Sequence, residues 1–159
     1  EIFRQAVQGM VQASAAVMAK CGVTADDIDL VVPHQANLRI IEAVVNRAGV
    51  PMDKVMLTVQ RYGNMSAATV PVALTEAVEE GRIKPGALIL MPAFGAGLTV
   101  CAHLVRWGDR VTPLAQSDAT LGTPSKTALE MINDIRARKA EAVESSAPGL
   151  QSPKFVSAP

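Results

Sequence analysis

The chain has 159 residues, of which 49% are hydrophobic and 19% charged, so it is not disordered throughout and can form one domain with a sizeable core. Lys and Arg number 15, as do Asp and Glu, so no net field favours nucleic acid or an anionic membrane. The two cysteines, the missing secretory pattern and the short apolar runs predict a soluble, cytoplasmic protein without a membrane span.

The first half of the chain predicts two helices around one strand. Apolar residues recur at spacings of three and four from Phe3, which predicts an amphipathic helix that ends at Gly22. Residues 28–33 form a short, nearly continuous apolar run typical of a strand that is covered on both faces. The apolar stripe over residues 38–48 predicts a second helix, which Gly49 terminates.

A second strand and a third helix are predicted next. Residues 55–59 read as the strand, and Ser66 is a suitable N-cap for an Ala-rich helix over residues 67–80. Pro71 conflicts with this prediction, because at about the fifth helical position it would remove an intrahelical hydrogen bond.

Two further strands complete the predicted fold. Residues 87–91 and 98–107 are joined by a connection too short for a crossover, so this pair is expected to be antiparallel. The order is a helix followed by βαβαββ, which predicts an α/β fold with a mixed, mostly parallel sheet covered by helices.

The character of the chain changes after Trp107. Residues 108–123 read as a linker, residues 124–144 as an amphipathic helix opened by Pro124, and residues 145–159 as a disordered tail rich in Ser, Pro and Ala. We expect the apolar stripe of this C-terminal helical extension to pack on the body or on a partner. Because Glu1 already lies inside a helical pattern, we also expect the chain to be a fragment.

Polar residues follow two of the predicted strands. His34 and Asn64 lie where a strand ends and a helix begins, and small residues form the turn 95–97. Two neutral donors of this kind suit stabilisation of an oxyanion or enolate. The alternative is that His34 caps the second helix and Asn64 only shapes a turn. A metal site at Cys101 and His103 has little support, because two residues fall short of a ligand set.

Three segments of the chain carry a resemblance to a known family. They read Val31-Val32-Pro33-His34-Gln35-Ala36-Asn37, then Tyr62-Gly63-Asn64-Met65-Ser66, then Ala93-Phe94-Gly95-Ala96-Gly97. In this order and spacing they resemble the C-terminal half of β-ketoacyl-acyl-carrier-protein synthase III, of the thiolase superfamily. The resemblance covers about residues 1–107, which are therefore expected to form a thiolase-like half-domain.

The resemblance implies a decarboxylative Claisen condensation in fatty acid biosynthesis. An acyl group passes from acyl-CoA to a cysteine and is then condensed with malonyl on the acyl carrier protein. The positions matching His34 and Asn64 bind the malonyl thioester carbonyl and stabilise the enolate. The position matching Ala96, commonly Gly in the family, contributes a backbone N–H to the oxyanion hole, and Phe94 matches an aromatic wall of the site. Arg39 matches a residue that docks the carrier protein.

The family resemblance also implies a homodimer that needs no metal or cofactor, with CoA and acyl-carrier-protein thioesters as substrates. The family's nucleophilic cysteine belongs to an N-terminal half that this sequence lacks. Cys21 and Cys101 do not match the position of that cysteine, and we expect both to be inert packing residues. The fragment alone is therefore expected to be inactive. The alternative is a non-catalytic, thiolase-like module that binds a carrier protein or pairs with another subunit.

Overall fold

The computed structural model describes residues 1–112, 118–120 and 122–146. The chain divides into two compact units, Glu1–Gln116 and Ser117–Pro159. The helices and strands are α1 (Ile2–Cys21), β1 (Leu30–Val31), α2 (Leu38–Ala48), α3 (Val59–Tyr62), α4 (Thr69–Glu79), β2 (Leu88–Gly95), β3 (Thr99–Arg106) and α5 (Ala128–Ser146). Short 3-10 turns occupy Ala25–Asp27, Met52–Lys54 and Ser66–Ala68.

The three strands form a mixed sheet in the order β1-β2-β3. β1 runs parallel to β2, with Leu30 opposite Ile89, and β3 runs antiparallel to β2, with Leu88 opposite Arg106. The α/β fold predicted from the sequence is confirmed, as is the antiparallel last pair.

Two of the predicted strands are much shorter than expected. The strand predicted over residues 28–33 is reduced to Leu30–Val31, and the one predicted over residues 55–59 is reduced to a single parallel bridge between Val31 and Val55. The prediction was wrong because the segment bends: a 3-10 turn ends at Lys54 and α3 already begins at Val59. Apolar runs this short do not reveal such bends.

The conflict at Pro71 disappears in the structure. The turn Ser66–Ala68 precedes α4, which begins at Thr69, so Pro71 is the third helical residue rather than the fifth. The first four backbone N–H groups of a helix have no intrahelical acceptor, so proline removes no hydrogen bond at this position.

Helices cover both faces of the sheet. On one face, α1 and α2 contribute to a cluster in which Ile41 and Val45 pack with Leu88 and Leu90. On the other face, small residues of α4 pack in a cluster with Ile89 and Met56. α1 lies so close to β3 that a Cβ at Gly9 would be 2.9 Å from Val100 Cγ2.

The C-terminal unit contains α5. This helix begins at Ala128, not at Pro124, because Thr127 and Glu130 form the N-terminal cap: the Thr127 N–H and hydroxyl donate to Glu130 Oε2 over 2.7 and 2.8 Å. It extends to Ser146, two residues into the predicted tail, and residues 147–159 lie outside the described part of the chain. The apolar stripe expected to pack is exposed, at Leu129, Ile132 and Ile135.

Candidate functional site

His34 lies just beyond β1 and is almost fully buried. Its backbone N–H donates to Pro92 O over 2.9 Å, which extends the pairing with β2 by one step. The imidazole Nδ1 lies 2.6 Å from the hydroxyl oxygen of Thr69, and the ring meets Phe94 edge-on at a centroid distance of 5.2 Å. Burial lowers the pKa of His34 from its ordinary value of 6.5, so the imidazole is neutral at pH 7.

The neighbouring Gln35 holds this loop from inside the core. Its side chain is fully buried, and its amide nitrogen donates to Pro33 O and Met56 O over 2.8 and 3.1 Å. Its amide oxygen accepts from the N–H groups of Thr58 and Val59 over 2.9 and 3.1 Å. Gln35 therefore joins the His34 loop to the segment that leads into α3.

The alternative role considered for His34, capping α2, is taken by Asn37. The Asn37 side-chain oxygen accepts from Ile40 N over 3.0 Å, which satisfies an unpaired N–H at the start of the helix. The His34 side chain is thereby available to the cavity that it lines.

Asn64 lies in an exposed loop between α3 and α4. Its side-chain oxygen accepts from Ser66 N over 2.9 Å, which identifies the other terminal atom as the NH₂ group. Gly63 and Ser66 have positive φ values of 65° and 56°, an uncommon conformation for a serine. The Asn64 side-chain oxygen is thus hydrogen-bonded within its own loop, while the NH₂ group has no partner among the described residues.

The turn between β2 and β3 contributes backbone rather than side chains. Among the described residues Ser66 is the one non-glycine with positive φ, so Ala96 has an ordinary backbone conformation and needs no glycine. Gly97 has a φ of 128°, which favours glycine. Phe94, which the resemblance assigns to an aromatic wall of the site, precedes this turn and is partly buried.

These elements converge on one open cavity of about 720 Å³. Its lining includes His34, Asn64, Thr69, Phe94 and the turn of Ala96 and Gly97. The structure therefore brings together the three separate regions that were predicted to carry the chemistry. A neutral imidazole and an amide NH₂ facing one space can donate two hydrogen bonds to an oxygen that gains negative charge.

Arg39 does not line this cavity. It lies in the first turn of α2, where its side chain is exposed and its guanidinium carbon is 5.9 Å from the ring centroid of Phe3. This places a cation on the surface of the helix that follows the His34 loop.

The two cysteines are exposed, which corrects the expectation that they are packing residues. Cys21 is the last residue of α1, and Cys101 faces outward from β3; neither lines the cavity. In the part of the chain that the structure describes, no group of three or more His, Cys, Asp or Glu residues could hold a metal ion, and no helix is long and apolar enough to cross a membrane.

Sequence reasoning missed Thr69 as a neighbour of His34. The two residues are 35 positions apart and belong to different predicted elements, so no local pattern connects them. The available signal was a polar residue inside an otherwise apolar and Ala-rich helical segment.

Comparison with known proteins gives a consistent family match. The protein-family model described as 3-oxoacyl-[acyl-carrier-protein (ACP)] synthase III C terminal matches residues 18–107 of this chain. Beta-ketoacyl-[acyl-carrier-protein] synthase III 2 of Vibrio cholerae is 51% identical over 133 residues, which are 84% of this chain and 37% of the relative. Beta-ketoacyl-[acyl-carrier-protein] synthase III of Symbiobacterium thermophilum is 51% identical over 108 residues, 68% of this chain and 33% of the relative.

Solved structures agree with the sequence relatives. The crystal structure of 3-oxoacyl-[acyl-carrier-protein] synthase III from Aquifex aeolicus VF5 matches with a TM-score of 0.66 and 47% identity, over 67% of this chain and 34% of that one. The corresponding protein of Pseudomonas aeruginosa PAO1 matches with a TM-score of 0.68 and 35% identity, over 70% and 35% of the two chains. The chain thus spans about a third of the length of the relatives it matches.

Proposed function

Because this chain belongs to the 3-oxoacyl-[acyl-carrier-protein] synthase III family through that family's C-terminal part, we propose that it supplies the decarboxylation half of an acyltransferase site. The reaction is a decarboxylative Claisen condensation of an acyl group with malonyl on an acyl carrier protein, in fatty acid biosynthesis. The observation that carries the proposal is the convergence of His34, Asn64 and the turn containing Ala96 on one cavity.

The two side chains act on the malonyl thioester. When the bond to the carboxylate breaks, carbon dioxide leaves and the bonding electron pair becomes an enolate whose charge lies on the thioester oxygen. His34 Nε2–H and the Asn64 NH₂ group donate to that oxygen. A neutral His34 suits this role, because burial disfavours the imidazolium form and leaves a donor that keeps its proton.

The enolate carbon then attacks an acyl thioester on a cysteine. The new carbon–carbon bond forms as the thioester carbonyl becomes an oxyanion, and the cysteine thiolate leaves when that oxyanion collapses. The Ala96 backbone N–H donates to this oxyanion, and Phe94 forms a wall of the site. Cys21 and Cys101 lie away from the cavity, so we assign the nucleophile to a part of the protein outside this chain.

The proposal extends to the assembly and its substrates. Acyl-CoA and malonyl acyl carrier protein are the substrates, and no metal or cofactor is required because the bond lost with carbon dioxide supplies the electron pair. We also propose a homodimer, on the basis of family membership, and a cytoplasmic location, on the basis of the two cysteines and the lack of a secretory pattern. A measurement of the mass of the intact protein in solution tests the homodimer: a monomer at assay concentrations contradicts it.

Malonyl-thioester decarboxylation by the intact protein tests the site. His34→Ala and Asn64→Ala are each expected to lower kcat by a factor on the order of 10²–10³, the usual effect of removing one oxyanion donor. The matched controls are His103→Ala and Asn46→Ala, which remove exposed residues outside the cavity and are expected to leave turnover unchanged. Normal turnover in both site variants would contradict the assignment and favour a non-catalytic binding or pairing module.

Arg39 is proposed to dock the acidic carrier protein. A cation in the first turn of a helix faces the positive end of the helix dipole, so Arg39 is not placed there to stabilise α2. Arg39→Glu is expected to raise KM for malonyl carrier protein roughly tenfold and to leave KM for malonyl-CoA unchanged, because only the carrier presents an acidic surface. An equal effect on both substrates would contradict a docking role.

A further inference from the structure

We propose that Thr69 is a positioning residue that holds His34 in the tautomer with its proton on Nε2, through a hydrogen bond from the Thr69 hydroxyl to Nδ1. Its effect on turnover rests on the function proposed above. The tautomer itself can be measured without any substrate.

The contacts of Thr69 limit what its hydroxyl can do. The residue is fully buried at the start of α4, and its hydroxyl oxygen lies 2.6 Å from His34 Nδ1 and 3.0 Å from Ser66 O. A hydroxyl has one hydrogen, so it can donate to only one of these two atoms. If it donates to Ser66 O, then Nδ1 must carry the imidazole proton, and Nε2 is left as an acceptor.

The two distances favour donation to Nδ1. A separation of 2.6 Å is shorter than N–H donors normally reach but lies within the range of O–H donors, whereas 3.0 Å is at the long end of that range. The Ser66 carbonyl already accepts from the backbone N–H of Thr69, so it is not left unpaired. The network therefore assigns the hydroxyl hydrogen to Nδ1, and the proton of the neutral ring to Nε2.

Nε2 is the ring atom that is open to the cavity. Nε2 has no hydrogen-bond partner among the described residues. The buried side-chain atoms without a partner in those residues are Ser14 Oγ and Thr58 Oγ1, so Nε2, which is not one of them, is accessible rather than buried. A proton held on Nε2 is thus available to a ligand.

Thr69 also joins the two candidate donors. Its hydroxyl contacts His34, its backbone N–H donates to Ser66 O, and Ser66 N donates to the Asn64 side-chain oxygen. This hydrogen-bond chain connects the His34 loop with the Asn64 loop. It occupies His34 Nδ1 and the Asn64 side-chain oxygen with hydrogen bonds inside the protein. The Nε2–H of His34 and the NH₂ group of Asn64 are then left to donate into the cavity.

Nitrogen-15 NMR of the imidazole rings in the intact protein tests the tautomer. The described chain has two histidines, and the exposed His103 serves as the internal reference, with His103→Gln to assign the signals. Above the pKa of His34 we expect a protonated Nε2 and an unprotonated Nδ1 in the unaltered protein and in Thr69→Ser, which keeps the hydroxyl. A proton on Nδ1 would overturn the proposal.

Decarboxylation kinetics supply the second readout. Thr69→Val keeps the shape of the side chain but removes the hydroxyl, and we expect kcat to fall by roughly 10- to 100-fold while KM changes little. Thr69→Ser is expected to restore turnover, and Thr75→Val, an exposed position in the same helix, is the matched control. Wild-type kcat in a folded Thr69→Val would overturn the positioning role, and if that variant does not fold, the tautomer of the unaltered protein still decides.

The two proposals fail in different ways. If the proposed function is wrong, His34→Ala decarboxylates normally whatever the tautomer is. If only the role of Thr69 is wrong, His34→Ala is impaired while Nδ1 carries the proton or Thr69→Val behaves as wild type.

Discussion

The two loops that carry the candidate donors are held in different ways. The His34 loop is buried, and its neighbour Gln35 makes four hydrogen bonds to backbone groups of two segments. The Asn64 loop is exposed, and its conformation depends on one side-chain hydrogen bond and on positive φ values at Gly63 and Ser66. The first loop is held by buried hydrogen bonds, and the second by backbone conformation and one exposed hydrogen bond.

Surface hydrogen bonds next to the Asn64 loop also help to hold it. The Glu76 carboxylate accepts hydrogen bonds from Arg61 and Tyr62, so the residues just before the loop are tied to the helix after it. The hydrogen bond from the Tyr62 hydroxyl to Glu76 favours the neutral phenol and therefore raises the pKa of Tyr62 above its ordinary value of 10.0. Exposed pairs of this kind each contribute only about 0.2–1 kcal/mol. In both loops the stabilising contacts leave the donor atoms themselves, His34 Nε2 and the Asn64 NH₂ group, without a partner among the described residues and therefore available to a ligand.

Replacing the buried Gln35 is expected to have the largest effect on stability. Gln35→Leu leaves the carbonyls of Pro33 and Met56 and the N–H of Thr58 without partners in the interior. Each such group costs about 1–3 kcal/mol, so we expect the free energy of unfolding to fall by at least about 3 kcal/mol in urea denaturation.

The exposed Gln60 provides the matched control for this substitution. Its side chain makes one surface hydrogen bond, to Leu57 O, so Gln60→Leu is expected to change the free energy of unfolding by less than about 1 kcal/mol. Equal losses in the two variants would show that the His34 loop is not held by its buried hydrogen bonds.

A smaller effect on stability is expected at Gly63, where a substitution strains the backbone but disrupts no buried contact. Gly63 has φ 65° and ψ −157°, a region that is nearly restricted to glycine, although an added Cβ would meet no atom within 4 Å. Gly63→Ala is expected to lower the free energy of unfolding by about 2 kcal/mol. It should also reduce malonyl-thioester decarboxylation, because the Asn64 loop must shift.

Gly22→Ala is the comparison for this prediction. Gly22 has φ 67° and ψ 32°, a left-handed conformation that other residues adopt at a cost of about 1–2 kcal/mol, and its Cβ would also meet nothing. We expect the smaller loss of stability and no loss of turnover. If Gly63→Ala retains full activity, the backbone of the Asn64 loop does not position the donor.

The local elements were largely predictable. The helix that ends at Gly22 and the helix over residues 38–48 follow from apolar periodicity and glycine C-caps, and the structure has them at Ile2–Cys21 and Leu38–Ala48. The antiparallel pair follows from two strand-like runs joined by a connection too short for a crossover, and it forms between Leu88–Gly95 and Thr99–Arg106. These features depend on neighbours in sequence, so a local pattern is enough.

The failures occur where nonlocal contacts compete with local patterns. Residues 55–59 have the composition of a strand, but they are held in a bend because the Gln35 amide nitrogen donates to Met56 O and its amide oxygen accepts from the N–H groups of Thr58 and Val59. Cys101 has the apolar character of a packing residue, yet its side of β3 is exposed. Neither outcome can be read from a window of sequence.

The sequence by itself therefore determined the α/β class, the order of the helices, the paired strands and the three motif segments that carry the family resemblance, because each of these depends on periodicity and turn residues along the chain. Only the tertiary structure decided that His34, Asn64 and the turn at Ala96 line one cavity, and that Thr69 contacts His34 Nδ1. The physical reason is that the packing of α4 against the sheet and the parallel pairing of β1 with β2 bring together residues that are dozens of positions apart.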